Sequence, residues 1–405
     1  MMSGVFTRLV GQQAVEAELL AAARAARGDA GHSPTGDPNL THAWLITGPP
    51  GSGRSIAAVC FAAALQCTSD FGDGGPGCGR CRACTTTMAG THADVRRVIP
   101  EGLSIGVDEM RAIVQIASRR PTTGRRQIVV IEDADRLTEG AANALLKVVE
   151  EPPPSTVFLL CAPSVDPEDI AITLRSRCRH VALVTPSTEA IARVLVDSDG
   201  LDADAANWAA SVSGGHVGRA RRLATDPDAR QRRERALELV RDAVQPAKAY
   251  AAAEELVAAA ETEAVALTAD RAEAETEELR TALGAGGTGK GTASAMRGAT
   301  GAIKDLERRQ KSRQTRASRD SLDRALVDLA TYFRDALLVA ADAGDVRPNH
   351  PDMADRVTAL AGHAPPERLL RCIEAVLGCR EALAVNVKPK FAVDAMVAAI
   401  GQELG

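Results

Sequence analysis

The chain is 405 residues long, 45% hydrophobic and 25% charged, with a formal net charge of -5. That composition excludes a disordered or fibrous chain and leaves room for two or three domains with ordinary cores. Aromatic residues make up only 2%, which argues against recognition through stacked aromatic platforms, and the net charge gives no global bias towards nucleic acid. No apolar run is long enough to cross a bilayer, and the first residues lack the charged-then-apolar pattern of a secretory leader, so a cytoplasmic protein with no membrane partner is expected.

In chain order, Ala43–Thr47 reads as a short buried strand and Ile56–Leu65 as an Ala-rich apolar helix. Between them lies Gly48-Pro49-Pro50-Gly51-Ser52-Gly53-Arg54-Ser55, which matches the phosphate-binding loop G-x-x-x-x-G-K-[ST] everywhere except at Arg54. Such a loop folds glycine-rich backbone N–H groups around phosphate oxygens at a helix start, with lysine on the outer phosphates and the hydroxyl on Mg²⁺. Arginine keeps the charge, but its planar guanidinium is wider than an ammonium and not a conservative replacement there. A plain Gly/Pro turn is the bland alternative.

Cys67, Cys78, Cys81 and Cys84 come next, two overlapping C-x-x-C steps with a fourth cysteine upstream. The turn-rich segment 72–77 lets Cys67 swing round to the other three, and four thiolates make the tetrahedral set of a structural zinc site with no open position for chemistry. Disulfides fit poorly with nine cysteines and no leader. Cys60, Cys161, Cys178, Cys372 and Cys379 are scattered among apolar neighbours and read as small core residues.

Asp94–Ile99 then reads as a strand and Val107–Ser118 as an amphipathic helix. Gln127–Ile131 is a run of apolar strand formers ending in Glu132-Asp133, as in a Walker B strand that presents a metal-linked and a water-activating carboxylate. The usual order is Asp then Glu. Reversal misplaces the water-activating carboxylate by about a methylene, and an error on the order of 1 Å costs about a hundredfold in rate. Both departures predict a site that binds nucleotide without hydrolysing it efficiently; an ordinary core strand with solvated acids is the alternative. Ala141–Glu150 is predicted helical and stopped by Pro152-Pro153-Pro154, followed by strands at Thr156–Cys161 and near His180–Leu183. Five strands alternating with helices imply an α/β fold, a parallel sheet with helices on both faces and phosphates at the carboxyl ends of its strands.

The remainder is predicted to be helical: a small lid over Ser187–Leu223, then an Ala-rich charged region. Ala251–Glu278 is acidic, 284–300 is read as flexible, and Lys304–Arg324 is basic. Within the flexible stretch, 286–292 mimics a phosphate loop but follows no buried strand, so it reads as a linker. Two solvated helices pairing acid against base is the favoured reading, with a DNA-contacting arm as the other. Helices are expected over Leu322–Ala343, Pro366–Leu383 and Phe391–Ile400.

Several segments together carry a resemblance. Val5-Phe6 with Val10-Gly11-Gln12, Thr41-His42-Ala43-Trp44-Leu45, the cysteine cluster after the loop helix, Ala141-Ala142-Asn143-Ala144-Leu145-Leu146-Lys147 with Glu150-Glu151-Pro152-Pro153, and Leu174-Arg175-Ser176-Arg177-Cys178 resemble the AAA+ subunits of bacterial clamp loaders over residues 5–225. The resemblance implies an AAA+ domain over 1–185 with its zinc insertion at 67–84, a lid over 186–225, and an all-α collar over 226–405 with a charged, flexible insertion at about 250–320. It implies partners too: gamma/tau and delta subunits in a five-membered ring, and through them a sliding clamp and primed DNA. By position, Arg177 is an arginine finger reaching a neighbour's ATP site, Ser164 a sensor-1 residue and Arg219 a sensor-2 residue. With Gly48, Gly51, Ser52, Gly53, Arg54, Ser55, Glu132 and Asp133 these complete the nucleotide site. The imperfect motifs are more similar to a ring member with weak or absent ATPase than to the gamma/tau motor, and no polymerase chemistry is visible. An active motor subunit, and a zinc-dependent nucleic-acid-binding module, are the alternatives left open.

Overall fold

The computed structural model describes residues 4–28, 41–69, 76–283, 292–343 and 345–405, without the side chains of 292–300. It falls into two compact units, Met1–Ala224 and Thr225–Gly405.

The first unit opens with a short 3-10 turn, Gly4–Arg8, and helix α1 (Gln13–Gly28). Then come β1 (Ala43–Thr47), α2 (Arg54–Gln66), α3 (Arg82–Met88), β2 (Val95–Val98), α4 (Val107–Ala117), β3 (Gln127–Ile131), α5 (Glu139–Glu150), β4 (Thr156–Ala162), α6 (Ile172–Arg175) and β5 (Arg179–Ala182). All pairings are parallel, in the order β2-β3-β4-β1-β5. The five strands expected from the sequence are present, with ends moved by at most a residue. Alternation along the central strands divides the core in two, as a sheet buried on both faces requires. Trp44, Ile46, Ile128, Val130, Val157 and Leu159 face α1 and α2, while Leu45, Val129, Ile131, Phe158 and Leu160 face α4 and α5. Helix α5 starts where the Thr138 hydroxyl accepts the Ala141 N–H and ends just before the proline run. Three further helices, α7 (Thr188–Asp197), α8 (Ala203–Ser211) and α9 (Val217–Thr225), complete this part of the chain.

The second unit is all helical: α10 (Pro227–Ala243), α11 (Pro246–Ala282), α12 (Thr292–Ala340), α13 (Ala354–His363), α14 (Pro366–Ala384) and α15 (Pro389–Leu404). The acidic and basic runs lie on α11 and α12 and pair with each other. The Arg313 guanidinium meets the Glu275 carboxylate, Gln310 Nε2 donates to the Ala272 carbonyl at 3.0 Å, and Arg324 reaches Glu263 at 3.4 Å. One expectation is corrected: of the stretch read as flexible, 292–300 is the first part of α12, because Ala-rich sequence next to a helix of this length extends it. The mimic loop at 286–292 lies outside the described residues except for its last position, which begins that helix.

A buried polar cluster fixes α10 and α12 to the turn before α13. Arg233, 6% exposed, grips Asp352 with two N–H groups at 2.7 and 3.1 Å and holds His350 Nδ1 at 2.7 Å, while His350 Nε2 sits 2.9 Å from the Thr331 hydroxyl. A guanidinium has only donors, so Nδ1 must accept and the ring must be neutral. Burial and Arg233 hold the His350 pKa below its ordinary value, against the pull of Asp328, Asp335 and Asp352. The neutral ring's contribution to stability is therefore complete above about pH 6.5, the ordinary histidine value, and is lost as pH falls through the depressed folded value. Thermal melts should show the second unit losing stability below about pH 6.5, and His350→Gln, which cannot titrate, should flatten that part of the profile.

Candidate functional site

The phosphate loop leaves β1 and turns into α2 with Gly51 at φ 85° and Gly53 at φ 97°, conformations that favour glycine. Helix α2 has no side-chain cap, so its first-turn N–H groups and its dipole remain available to an anion. The backbone therefore fits a phosphate. Its side chains are disposed differently.

Arg54 Nη1 donates to the Gly48 carbonyl at 2.6 Å, so the guanidinium folds back onto the loop that it follows. Glu132 is engaged by Arg97 of β2, Nε to Oε1 at 2.7 Å and Nη2 to Oε1 at 2.6 Å. The carboxylate in the metal position thus already has a cation on it. Asp133 begins the short 3-10 turn after β3. Asp135, two residues on, lies within electrostatic reach of Asp133 and Arg54, and burial raises its pKa. Its Oδ1 and the Ser52 hydroxyl have no hydrogen-bond partner among the described residues. Over the loop, His216 packs so closely on Gly51 that a β-carbon there would collide with the imidazole. Gln12 ties the loop to the end of the sheet, donating to the Ser52 and Val184 carbonyls and accepting the Val184 N–H. The backbone fits an anion cradle, while Arg54 and Glu132 are engaged by Gly48 and Arg97.

Ser55 lies in the first turn of α2. The Ser164 hydroxyl, beyond β4, donates to Asp169 at 2.7 Å and accepts the Asp166 N–H, which closes its own loop. Arg219 lies on α9, its backbone N–H donating to His216 Nδ1 at 3.2 Å. Arg177 is exposed just beyond α6. Its Nη1 donates to the Thr173 carbonyl at 2.9 Å and to the Ser176 hydroxyl at 3.2 Å, and its Nη2 meets Glu150 at 2.6 Å. Ile172, at the start of α6, is 62% exposed.

The four cysteines converge, every Sγ within 4.8 Å of the others, and those of Cys67 and Cys81 are 3.9 Å apart. A tetrahedral zinc with Zn–S of about 2.3 Å requires S···S separations of about 3.8 Å, so the donor set fits a metal. The backbone supports it. Cys78 Sγ accepts N–H groups from Arg80 and Cys81, and Cys81 Sγ accepts that of Cys84. Burial works to raise the Cys81 pKa, but hydrogen bonds from Thr68 and Cys84 prevail and bring it down to about 5. The Cys78 thiol is lowered too, against burial, by Ser69 and these amides, whereas burial pushes Cys84 up. The chain's first residues brace the cluster: Val5 N–H donates to the Gly77 carbonyl at 2.9 Å, Cys60 Sγ to the Val5 carbonyl at 3.1 Å, and Gly4 lies where a β-carbon would collide with Gly77 O.

Sequence reasoning does not find Arg97, Asp135 or the packing of His216. Arg97 carries the one usable signal, a charge on a short strand beside the Walker B strand; its partner becomes visible only once the β2-β3 register, Arg97 opposite Val130, is known.

A parallel sheet of this order, a phosphate loop after its first strand and helices beyond its last define a P-loop module of the AAA+ class. Residues 35–187 match the family described as DNA polymerase III, delta subunit. The chain is 38% identical over 188 residues to DNA polymerase III subunit delta' of Pseudomonas aeruginosa, covering 45% of this chain and 55% of that protein. It is 34% identical over 152 residues to DNA polymerase III subunit tau of Bacillus subtilis, covering 38% of this chain and 26% of that protein. Among solved structures, a DNA polymerase III gamma subunit-related protein of Thermotoga maritima aligns over 96% of this chain and 99% of its own at 14% identity and a TM-score of 0.42. The matched segment is thus similar to both delta' and tau proteins of DNA polymerase III. The chain spans about half the length of the delta' relatives that it matches. Among the described residues no helix is long and apolar enough to cross a membrane.

Proposed function

We propose that this chain is the delta-prime subunit of a bacterial replicative clamp loader and takes part in ATP-dependent placement of a sliding clamp on primed DNA. The contrast between two arginines carries the reading. Arg54, which would serve the chain's own site, is folded onto the Gly48 carbonyl of its own loop, whereas Arg177, which would serve a neighbour's, lies at the surface, 38% exposed and paired with the equally accessible Glu150. In this reading Arg177 stabilises charge on a γ-phosphoryl group held by the adjacent gamma/tau subunit, within a five-membered ring that also holds delta. The chain's own site binds ATP weakly or inertly, with Ser164 and Arg219 in the sensor positions. Residues 1–185 form the AAA+ domain, 186–225 the lid and 226–405 the collar, and zinc at Cys67, Cys78, Cys81 and Cys84 is structural. The protein works in the cytoplasm.

ATP turnover by the isolated, metal-replete chain tests the division of labour, because robust turnover abolished by Arg54→Ala would mark an active motor subunit instead. We expect none, and Arg54→Lys alone should not create it, because Arg97 still neutralises Glu132. Turnover in Arg54→Lys approaching that of a motor subunit would show that the loop residue was the whole defect.

A further inference from the structure

Below the sheet, at the end away from the phosphate loop, three segments contain no acidic residue at all: 19–28, 76–93 and 112–131. Hydrogen bonds knit them into one body. Gln66 at the end of α2 accepts the Arg125 N–H at 3.0 Å and donates to the Arg126 carbonyl at 2.5 Å. Arg126 reaches the Ala26 carbonyl of α1 at 3.4 Å. Arg27, next along α1, holds the Ser69 carbonyl at 2.8 Å and the Cys67 carbonyl, and the Ser69 hydroxyl lies 3.0 Å from Cys78 Sγ.

Among the described residues, Asp94 at the foot of β2 is only 2% exposed and fully used. It accepts the N–H groups of Thr122, Thr123 and Gly124 and the hydroxyls of Thr122 and Thr123, all at 2.6 to 2.9 Å. Burial works against its charged form, yet these donors hold its carboxyl far below the usual carboxylate range. Asp94 therefore stays ionised and rigidifies the loop between α4 and β3 while facing inward. That loop carries Arg119, Arg120 and Arg125 into solvent, and the cysteine knuckle adds Arg80 and Arg82. Arg82, Arg119, Arg120 and Arg125 have no carboxylate partner among the described residues. Asp29, directly after α1, and Asp70 and Asp73, in the segment between Cys67 and Cys78, lie outside the described residues.

We infer that this face, the α4–β3 loop with the cysteine knuckle, binds the phosphate backbone of a nucleic-acid duplex without regard to sequence. A cluster of exposed guanidiniums on a chain of net charge -5 is a local inversion of sign, and arginine forks match phosphate geometry. No aromatic side chain lies in 76–93 or 112–131, so the face meets phosphates rather than stacked bases. The basic run on α12 is a weaker candidate, because Asp305 pairs with Arg308 at 3.3 Å, Glu307 lies beside it, and acidic α11 packs along it.

Fluorescence anisotropy of the full, metal-replete chain with a labelled primer-template duplex at about 50 mM and 200 mM salt tests this. Binding should weaken steeply with salt. The triple change Arg119→Ser, Arg120→Ser, Arg125→Ser should weaken it at least about tenfold and lower the salt slope by about 0.9 for each phosphate no longer neutralised, with metal content and melting temperature unchanged. Arg308→Ser with Arg309→Ser and Lys311→Ser on α12 should leave it intact. The inference is overturned by no binding at the lower salt, by a triple variant that binds as the parent does, or by loss of binding in the α12 variant alone. Competition by polyglutamate as effective as that by DNA would also overturn it, since the face would then read an acidic protein surface.

Discussion

On the proposed function, Arg177→Ala, in a loader reconstituted with motor and delta subunits, should slow single-turnover hydrolysis at the neighbouring site by about a thousandfold or more, the range expected when a finger is withdrawn. Total DNA-stimulated turnover falls by that site's share if the sites fire independently, and further if they fire in order. Arg177→Lys should recover little, because an ammonium cannot replace a planar fork. Glu150 supplies an internal control: it pairs with Nη2, while Nη1 is held by Thr173 and Ser176. The pair is about two-fifths exposed on both sides and contributes little to stability, so Glu150→Gln should stay within about threefold of the parent, the guanidinium being retained. Undiminished turnover in Arg177→Ala would remove the finger from the account.

Cys81→Ser should have the second large effect. Cys81 caps α3, accepts the Cys84 N–H and touches Cys67; serine, itself a preferred N-cap, keeps the cap and removes only the thiolate proposed as a zinc ligand. Structural zinc contributes its binding free energy to folding, and a deficit on the order of 3 kcal/mol lowers the melting temperature of a unit of this size by roughly 6–12 °C. Zinc content measured by mass spectrometry should fall in step, and a chelator should reproduce the shift in the parent protein. Full metal content and an unchanged melt in Cys81→Ser would exclude the cluster as a structural site.

The sheet was legible because each central strand is a short run of apolar residues closed by a turn signal, so β1 and β3 stand where they were expected to the residue. The cysteine cluster was legible from spacing alone. Contacts between side chains distant in sequence were not. Arg97 neutralises Glu132 only because β2 lies parallel to β3, and Asp94 clamps Thr122–Gly124 only because that loop returns to the foot of β2. Ser164 is equally instructive: its position after β4 is plain from the sequence, but the bond that turns its hydroxyl to Asp169 depends on loop geometry. Helix α1 carries a signal in the sequence too, with Val15, Leu19, Ala22 and Ala23 buried at helical spacing.

The bracing of the first residues has a consequence for the order of folding. Val5 can be fixed only once Gly77 and Cys60 exist, and Gln12 only once Val184, 172 residues later, has been made. Residues 5 and 12 precede the groups they bond to, so this segment is among the last parts of its unit to be locked and must wait unpaired through synthesis of most of the sheet. Amide protection in pulse-labelled refolding should therefore appear at Val5 and Val184 after it appears along β3 and β4.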